Sequence, residues 1–139
     1  MQDEMANKQE KSEELANKPG KKGVARLLAA TSYSSQGLVA AWRNEEAFRQ
    51  EVIGICLLVP FALWAGETPT ERAILIAAVM FVLPIELINS AIEATVDRIG
   101  PEKHPLAKIA KDTGSAAVAV ALFAAFLVWC CILIPKLPI

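Results

Sequence analysis

Apolar residues in this chain are bunched into long runs. After a polar start they recur at helical spacing from Gly23 to Gln50, then fill three nearly uninterrupted stretches. On a helical wheel with Leu27 at the origin, Ala30, Leu38, Ala41, Trp42 and Phe48 all fall within about 60° of it, while Arg43 and Glu46 fall on the wetter side. Residues 23–50 therefore predict an amphipathic helix lying at a membrane surface, loosened midway by Gly37. Glu45 breaks the pattern, because it sits in the centre of the apolar stripe.

The three stretches read as membrane spans. The first is Val52–Ala65, extended back by Ala47 and Phe48 to about residue 48, which makes its start overlap the polar helix. The second runs from Ala73 to about Val96. The third, Ser115–Ile134, is twenty residues without a charge, close to the roughly 20 that a helical crossing requires. Trp64 and Trp129 sit toward span ends, where amphipathic rings are favoured. The pattern predicts an all-α integral membrane protein with three transmembrane helices and one surface helix.

Composition narrows the class. The chain has 139 residues, 54% of them hydrophobic, which bounds it to one domain. Its 14 basic and 15 acidic residues leave a net charge of −1, so no basic stripe points to nucleic acid. Three cysteines, Cys56, Cys130 and Cys131, all inside apolar runs, read as buried small hydrophobes. Residues 1–22 hold five acids and five lysines and predict a mobile cytosolic tail; no apolar run follows at signal-peptide distance. Eight basic residues precede the first span and four lie between Asp97 and Asp112, leaving Arg72 and Lys136 for the other side. The positive-inside rule then places the N-terminus and the second loop in the cytoplasm, and the turn 66–72 and the C-terminus outside.

The inner half of the second span carries the chemistry. With Glu86 at the origin, Asn89, Ser90, Glu93 and Asp97 all fall within about 60° of it, opposite a face built largely from Leu87, Ile88, Ala91, Ile92 and Val96. A carboxylate at membrane depth costs about 2.5–3.5 kcal/mol on insertion scales. A polar seam that glues helices together is the plainer reading, but such seams use amides and hydroxyls more than paired carboxylates. The stripe points instead to metal binding and proton transfer at the cytoplasmic end of a helix bundle. Acids seven residues apart are separated by about 10.5 Å along a helix, so Glu86 and Glu93 serve different roles. Glu93, nearer the water, suits Mg²⁺, which usually takes one or two carboxylates plus phosphate oxygens. Glu86, deeper, suits a general base. Glu45, facing inward from its apolar stripe, is the second metal ligand.

The loop that follows, Gly100–Val118, sets Lys111 and Asp112 where the third span begins. Lys111 could neutralise a phosphate. Asp112 could cap the third helix or contact a nucleotide; interfacial snorkelling plus an N-cap explains the pair equally well. His104 is alone in a loop flanked by Pro105, which makes metal ligation by it improbable. There is no phosphate-binding glycine loop and no Cys/His cluster, so nucleotide chemistry here requires a non-standard site.

Three motifs carry a resemblance. Glu86-x-x-Asn89-Ser90-Ala91-Ile92-Glu93, running on to Val96-Asp97-Arg98-Ile99, resembles the signature of the bacterial-type integral-membrane diacylglycerol kinases. So do Ala41-Trp42-Arg43-Asn44-Glu45-Glu46-Ala47-Phe48-Arg49-Gln50-Glu51 and Ala110-Lys111-Asp112-x-Gly114-Ser115-Ala116-Ala117-Val118. Undecaprenol kinases share the glutamate signature and are the nearest alternative. A non-catalytic membrane subunit with an acidic ion path is the rival from another class; it needs neither Lys111 nor a nucleotide.

The resemblance implies a homotrimer in the inner membrane and phosphorylation of diacylglycerol to phosphatidic acid with ATP and Mg²⁺. It implies Glu86 as catalytic base and Glu45 and Glu93 as metal-linked acids near ATP. Arg26, Tyr33, Glu102, Lys103, His104, Lys111 and Asp112 match nucleotide-contacting positions. The lipid-facing positions are matched by Arg26, Ala30, Thr31, Ser32, Tyr33, Ser34, Ser35, Val39, Ala40, Ala41, Trp42, Ala47, Phe48, Arg49, Gln50, Glu51, Trp64, Ala65, Gly66, Glu67, Arg72, Ser115 and Trp129, and Glu86 and Asn89 face the same substrate. Pro84 departs from the pattern and predicts a kink just before Glu86. Ala29 and Val39 stand where the pattern often has Lys or Arg.

Overall fold

The structure is a computed structural model that describes residues 23–100, 102 and 104–136. The expected polar tail, residues 1–22, and Lys103 lie outside these residues. Among the described residues all regular structure is helical. Helix α1 is Val24–Asn44, α2 is Glu46–Ala65, α3 is Pro69–Met80, α4 is Val82–Ile99 and α5 is Pro105–Leu133, followed by a 3-10 turn at Ile134–Lys136. Residues through Leu38 form one unit and Val39 onward another. In the first unit α1 is exposed along nearly its whole length. Its hydroxyls bond back to their own helix, Thr31 Oγ1 donating to Leu27 O at 3.0 Å and Ser35 Oγ to Ser32 O at 2.9 Å.

Three helical stretches are long and apolar enough to cross a membrane: Glu46–Ala65, Pro69–Ile99 and Pro105–Lys136. Each exceeds the expected span, because hydropathy marks where lipid begins and helices continue into the polar interface. Large apolar side chains such as Leu57, Phe61, Phe81, Phe123 and Phe126 point outward, as lipid solvation permits and water would not. The chain is an integral membrane protein.

Two breaks depart from uninterrupted helices. The stretch expected as one surface helix to Gln50 divides at Glu45, which is extended (φ −108°, ψ 117°). Arg49 closes the break: its guanidinium Nη1 donates to the carbonyls of Trp42 at 3.1 Å and Arg43 at 3.3 Å, two acceptors that the end of α1 leaves open. The second break is at Phe81. Pro84 has no N–H for the Met80 carbonyl and its ring crowds that oxygen, so the interruption falls a turn ahead of the proline.

Helix α5 begins at Pro105, ten residues before the expected third span, so the stretch read as a loop is largely helical. His104 is its N-cap, with Nδ1 accepting from Leu106 N at 3.2 Å, and Pro105 takes the first helical position, where no N–H is needed. Asp112 therefore lies within the helix and caps nothing. At the other end of the bundle, Thr68 caps α3 by accepting from Glu71 N, Glu71 Oε2 accepts from Glu67 N at 2.8 Å, and Lys136 donates to that same oxygen at 2.6 Å. This ties the end of α5 to the turn between α2 and α3.

The most extensive packing is α4 on α5. It depends on one close approach: Gly114 is buried, and a Cβ there would run into Asn89 Oδ1. Small residues at such crossings let membrane helices approach closely. Gly114→Ala should force the Asn89 side chain aside and cost about 1–3 kcal/mol of packing. Thermal unfolding in detergent checks this, with a lowered midpoint expected; a midpoint and activity equal to wild type would contradict the contact.

Candidate functional site

Helix α4 presents its polar stripe to the bundle interior. Glu86 is 3% exposed and Asn89 8%, two buried polar residues in an otherwise apolar core. Asn89 Nδ2 donates to Glu93 Oε1 at 3.2 Å, a bond that helical i,i+4 spacing allows. The Glu45 and Glu93 carboxylates lie close enough to Glu86 to repel it. Glu51, reaching in from α2, also lies within electrostatic reach of Glu86. Three carboxylates, from the α1–α2 break, from α2 and from α4 itself, thus lie within electrostatic reach of a fourth, Glu86. Among the described residues, no Lys, Arg or His forms an ion pair with any of them. Also among those residues, Glu51 Oε2, Asn89 Oδ1 and Ser90 Oγ are buried without a hydrogen-bond partner. Buried polar atoms are ordinarily paired, and uncompensated carboxylates in a medium of low dielectric repel strongly. An arrangement with this much unused acceptor capacity is suited to receiving a cation and a proton donor.

Two hollows border the acids. One is an apolar cavity of about 450 Å³, lined by Gln50, Glu51, Gly54, Ile55 and Leu58 of α2, Val79 and Val82 around the α3–α4 break, and Leu122, Ala125, Phe126 and Trp129 of α5. Its wall at Trp129 is rigid: the indole N–H donates to Leu75 O at 3.1 Å and the ring stacks on Phe61, centroids 5.9 Å apart. The other is a polar groove of about 720 Å³ where α4 meets α5, lined among others by Asp97, Glu102, His104, Lys108, Lys111 and Asp112. Lys111 pairs with Asp97 across the two helices at 2.7 Å, and also lies within electrostatic reach of Glu93, so this groove adjoins the acid cluster.

The sequence-derived site residues therefore separate into groups. Glu45, Glu86, Asn89 and Glu93 come together, while Glu102, His104, Lys111 and Asp112 share the polar groove. Gln50, Glu51 and Trp129 line the apolar cavity, and Ser115 follows the Gly114 contact. Ala41 and Phe48 are buried, whereas Val39, Ala40, Trp42 and Ala47 are exposed and Arg49 caps α1. Arg26, Ala30, Thr31, Ser32, Tyr33, Ser34 and Ser35 lie exposed on α1 in the first unit. Trp64, Ala65, Gly66, Glu67 and Arg72 gather elsewhere, at the α2–α3 turn, where Arg72 Nε donates to Gly66 O at 2.8 Å. The helical rise puts that turn about 25 Å from Glu86.

Three features escaped the sequence reading: Glu51 as a member of the acid cluster, Asp97 as the partner of Lys111, and Gly114 as the seat of Asn89. For Glu51 a signal exists, since it shares one face of α2 with Gly54, Ile55 and Leu58 and is a lone acid on that face. The other two need contact between helices and have no local signature.

Known proteins resemble this chain over most of its length. The profile of the prokaryotic diacylglycerol kinase family matches residues 32–133. The chain is 50% identical over 111 residues to the diacylglycerol kinase of Escherichia coli K12, a match covering 80% of this chain and 91% of that one. It is 50% identical over 115 residues to that of Pseudomonas aeruginosa, covering 83% and 94%. The Haemophilus influenzae enzyme is 47% identical over 107 residues, covering 77% and 91%. The matched region contains the carboxylate cluster and both hollows, and the chain belongs to the prokaryotic diacylglycerol kinase family.

Proposed function

We propose that the chain transfers the γ-phosphate of ATP to the free hydroxyl of diacylglycerol, giving phosphatidic acid at the cytoplasmic face of the inner membrane. The observation that carries this reading is the set of four carboxylates that, among the described residues, form no ion pair with a cation, lying between an apolar cavity and a polar groove. The apolar cavity suits a lipid tail and its Glu51 edge leads toward Glu86. The groove, with Lys111, suits a polyphosphate. The relatives' names, all diacylglycerol kinase, support diacylglycerol over undecaprenol as acceptor.

The chemistry follows from the placement. The lipid hydroxyl donates a hydrogen bond to the Glu86 carboxylate, which takes its proton as the oxygen attacks the γ-phosphorus. The bond from that phosphorus to the bridging oxygen breaks and ADP leaves. Asn89 holds Glu93 in position, and Lys111 offsets negative charge on the phosphates. Mg²⁺ would be held by Glu45 and Glu93 and would neutralise charge on the transferring phosphate. The donor set fits an ion that arrives with a nucleotide, which needs only one or two carboxylates: Glu45 and Glu93 both lie within reach of Glu86 and Glu93 is held by Asn89, while among the described residues no three His, Cys, Asp or Glu side chains gather into a site that would hold a metal alone. Positioning and electrostatics supply most of the rate in such transfers.

The same reading extends to the assembly. The apolar outer faces and the family resemblance support a homotrimer of three-span subunits, and the distribution of basic residues supports a cytoplasmic N-terminus with the C-terminus outside. Arg26, Tyr33 and the remaining carried-over positions on α1 are assigned to nucleotide and lipid contact on the resemblance alone.

Two experiments test the mechanism. Glu86→Gln keeps the shape but cannot accept a proton at neutral pH; kcat should fall about 10²–10⁴-fold, the usual worth of a general base, and retention of more than about a tenth of wild-type kcat would refute the assignment. Glu45→Ala and Glu93→Ala should each shift the Mg²⁺ midpoint of activity upward, and the double variant should be little worse than either, because residues serving one unit are non-additive. Unchanged midpoints in both single variants would remove the metal role.

A further inference from the structure

The polar groove holds a second cation, Lys108, one helical turn before Lys111 on α5. Spacing of three residues puts both ammonium groups on one face. In the structure each is held by a carboxylate of the same groove, Lys111 by Asp97 and Lys108 by Asp112. The two lysines are not equivalent. The Lys108 side chain is 77% exposed and that of Lys111 37%, so Lys108 changes partners at little desolvation cost. His104 is committed to capping α5, its Nδ1 accepting from Leu106 N. Among the described residues lining the groove, Lys108 and Lys111 are therefore the cationic donors, set against Asp97, Glu102 and Asp112. A magnesium-bound triphosphate retains net negative charge, and one lysine already tied to Asp97 leaves part of it unmatched.

We propose that Lys108 is a further nucleotide-contacting residue, exchanging Asp112 for a phosphate oxygen when the nucleotide enters the groove. The inference rests on the groove being the nucleotide site. Exposure of the pair explains why its exchange is cheap: an exposed i,i+4 ion pair is worth little in water, whereas an ammonium bound to phosphate gains a charge-assisted hydrogen bond. Asp112 then has a role in the empty site, keeping Lys108 folded along the helix and over the groove.

The test is steady-state kinetics of the full chain in lipid vesicles containing diacylglycerol, with MgATP varied, for wild type, Lys108→Gln, Lys108→Arg and Lys111→Gln. Lys108→Gln should raise KM for MgATP on the order of fivefold, as expected for loss of one exposed charged contact, with kcat within about twofold of wild type and the unfolding midpoint unchanged. Lys108→Arg, which keeps the charge, should restore KM to within about twofold. The inference is overturned if Lys108→Gln leaves KM unchanged while Lys111→Gln raises it, if it lowers kcat alone, or if Lys108→Arg is as impaired as Lys108→Gln. If neither glutamine variant moves KM, the assignment of the groove to nucleotide fails instead.

Discussion

Mutual repulsion among carboxylates organises this molecule. Glu45, Glu51 and Glu93 each reach Glu86 electrostatically, and among the described residues none of the four forms an ion pair with Lys, Arg or His. Glu86 is buried and the other three are half-buried; holding such a set opposes folding, since acids lose hydration without gaining a counter-charge. The bundle tolerates it because apolar contacts around Leu75, Val79, Val82 and Ala125 and the Gly114–Asn89 approach hold α4 against α5. A ligand that brought a cation and a proton donor to this set would relieve that repulsion.

Geometry around the cluster follows from two interruptions and one early start. The break at Glu45 frees that side chain from a continuous helical stripe, and Arg49 makes the break stable. The break at Phe81 places Val79 and Val82 at the wall of the apolar cavity just ahead of Glu86. The start of α5 at Pro105 carries Lys108, Lys111 and Asp112 on a rigid helix, where they face Asp97 across the groove. An apolar and a polar hollow thereby adjoin the same set of acids.

Much of this was legible in the chain. The spans and the polar face of α4 follow from periodicity, because a helix in lipid must segregate its acids, and Glu45 announced itself as an acid in an apolar stripe. The resemblance motifs grouped Glu102, His104, Lys111 and Asp112 before the groove was visible. The start of α5 was not legible. Lys108, Lys111 and Asp112 dilute the apolar signal there, and the stronger cue, His104 followed by Pro105, reads as a loop when only hydropathy is weighed. The breaks were partly legible: Pro84 indicated an interruption but not its position, whereas the carbonyls that Arg49 satisfies exist only once the chain has turned. The pairs Lys111–Asp97 and Lys136–Glu71 join different helices, and no local pattern encodes them.

Binding of a paramagnetic divalent ion tests the account's central claim most directly, since the acids are held to accept a metal together with a nucleotide. Mn²⁺ can be titrated into the full chain in detergent, with free ion followed by electron paramagnetic resonance, with and without a non-hydrolysable ATP analogue. The account predicts weak binding by protein alone and markedly tighter binding with the analogue, lost in the Glu45→Ala Glu93→Ala double variant. Tight binding without nucleotide, or analogue-dependent binding that survives loss of both acids, would contradict it.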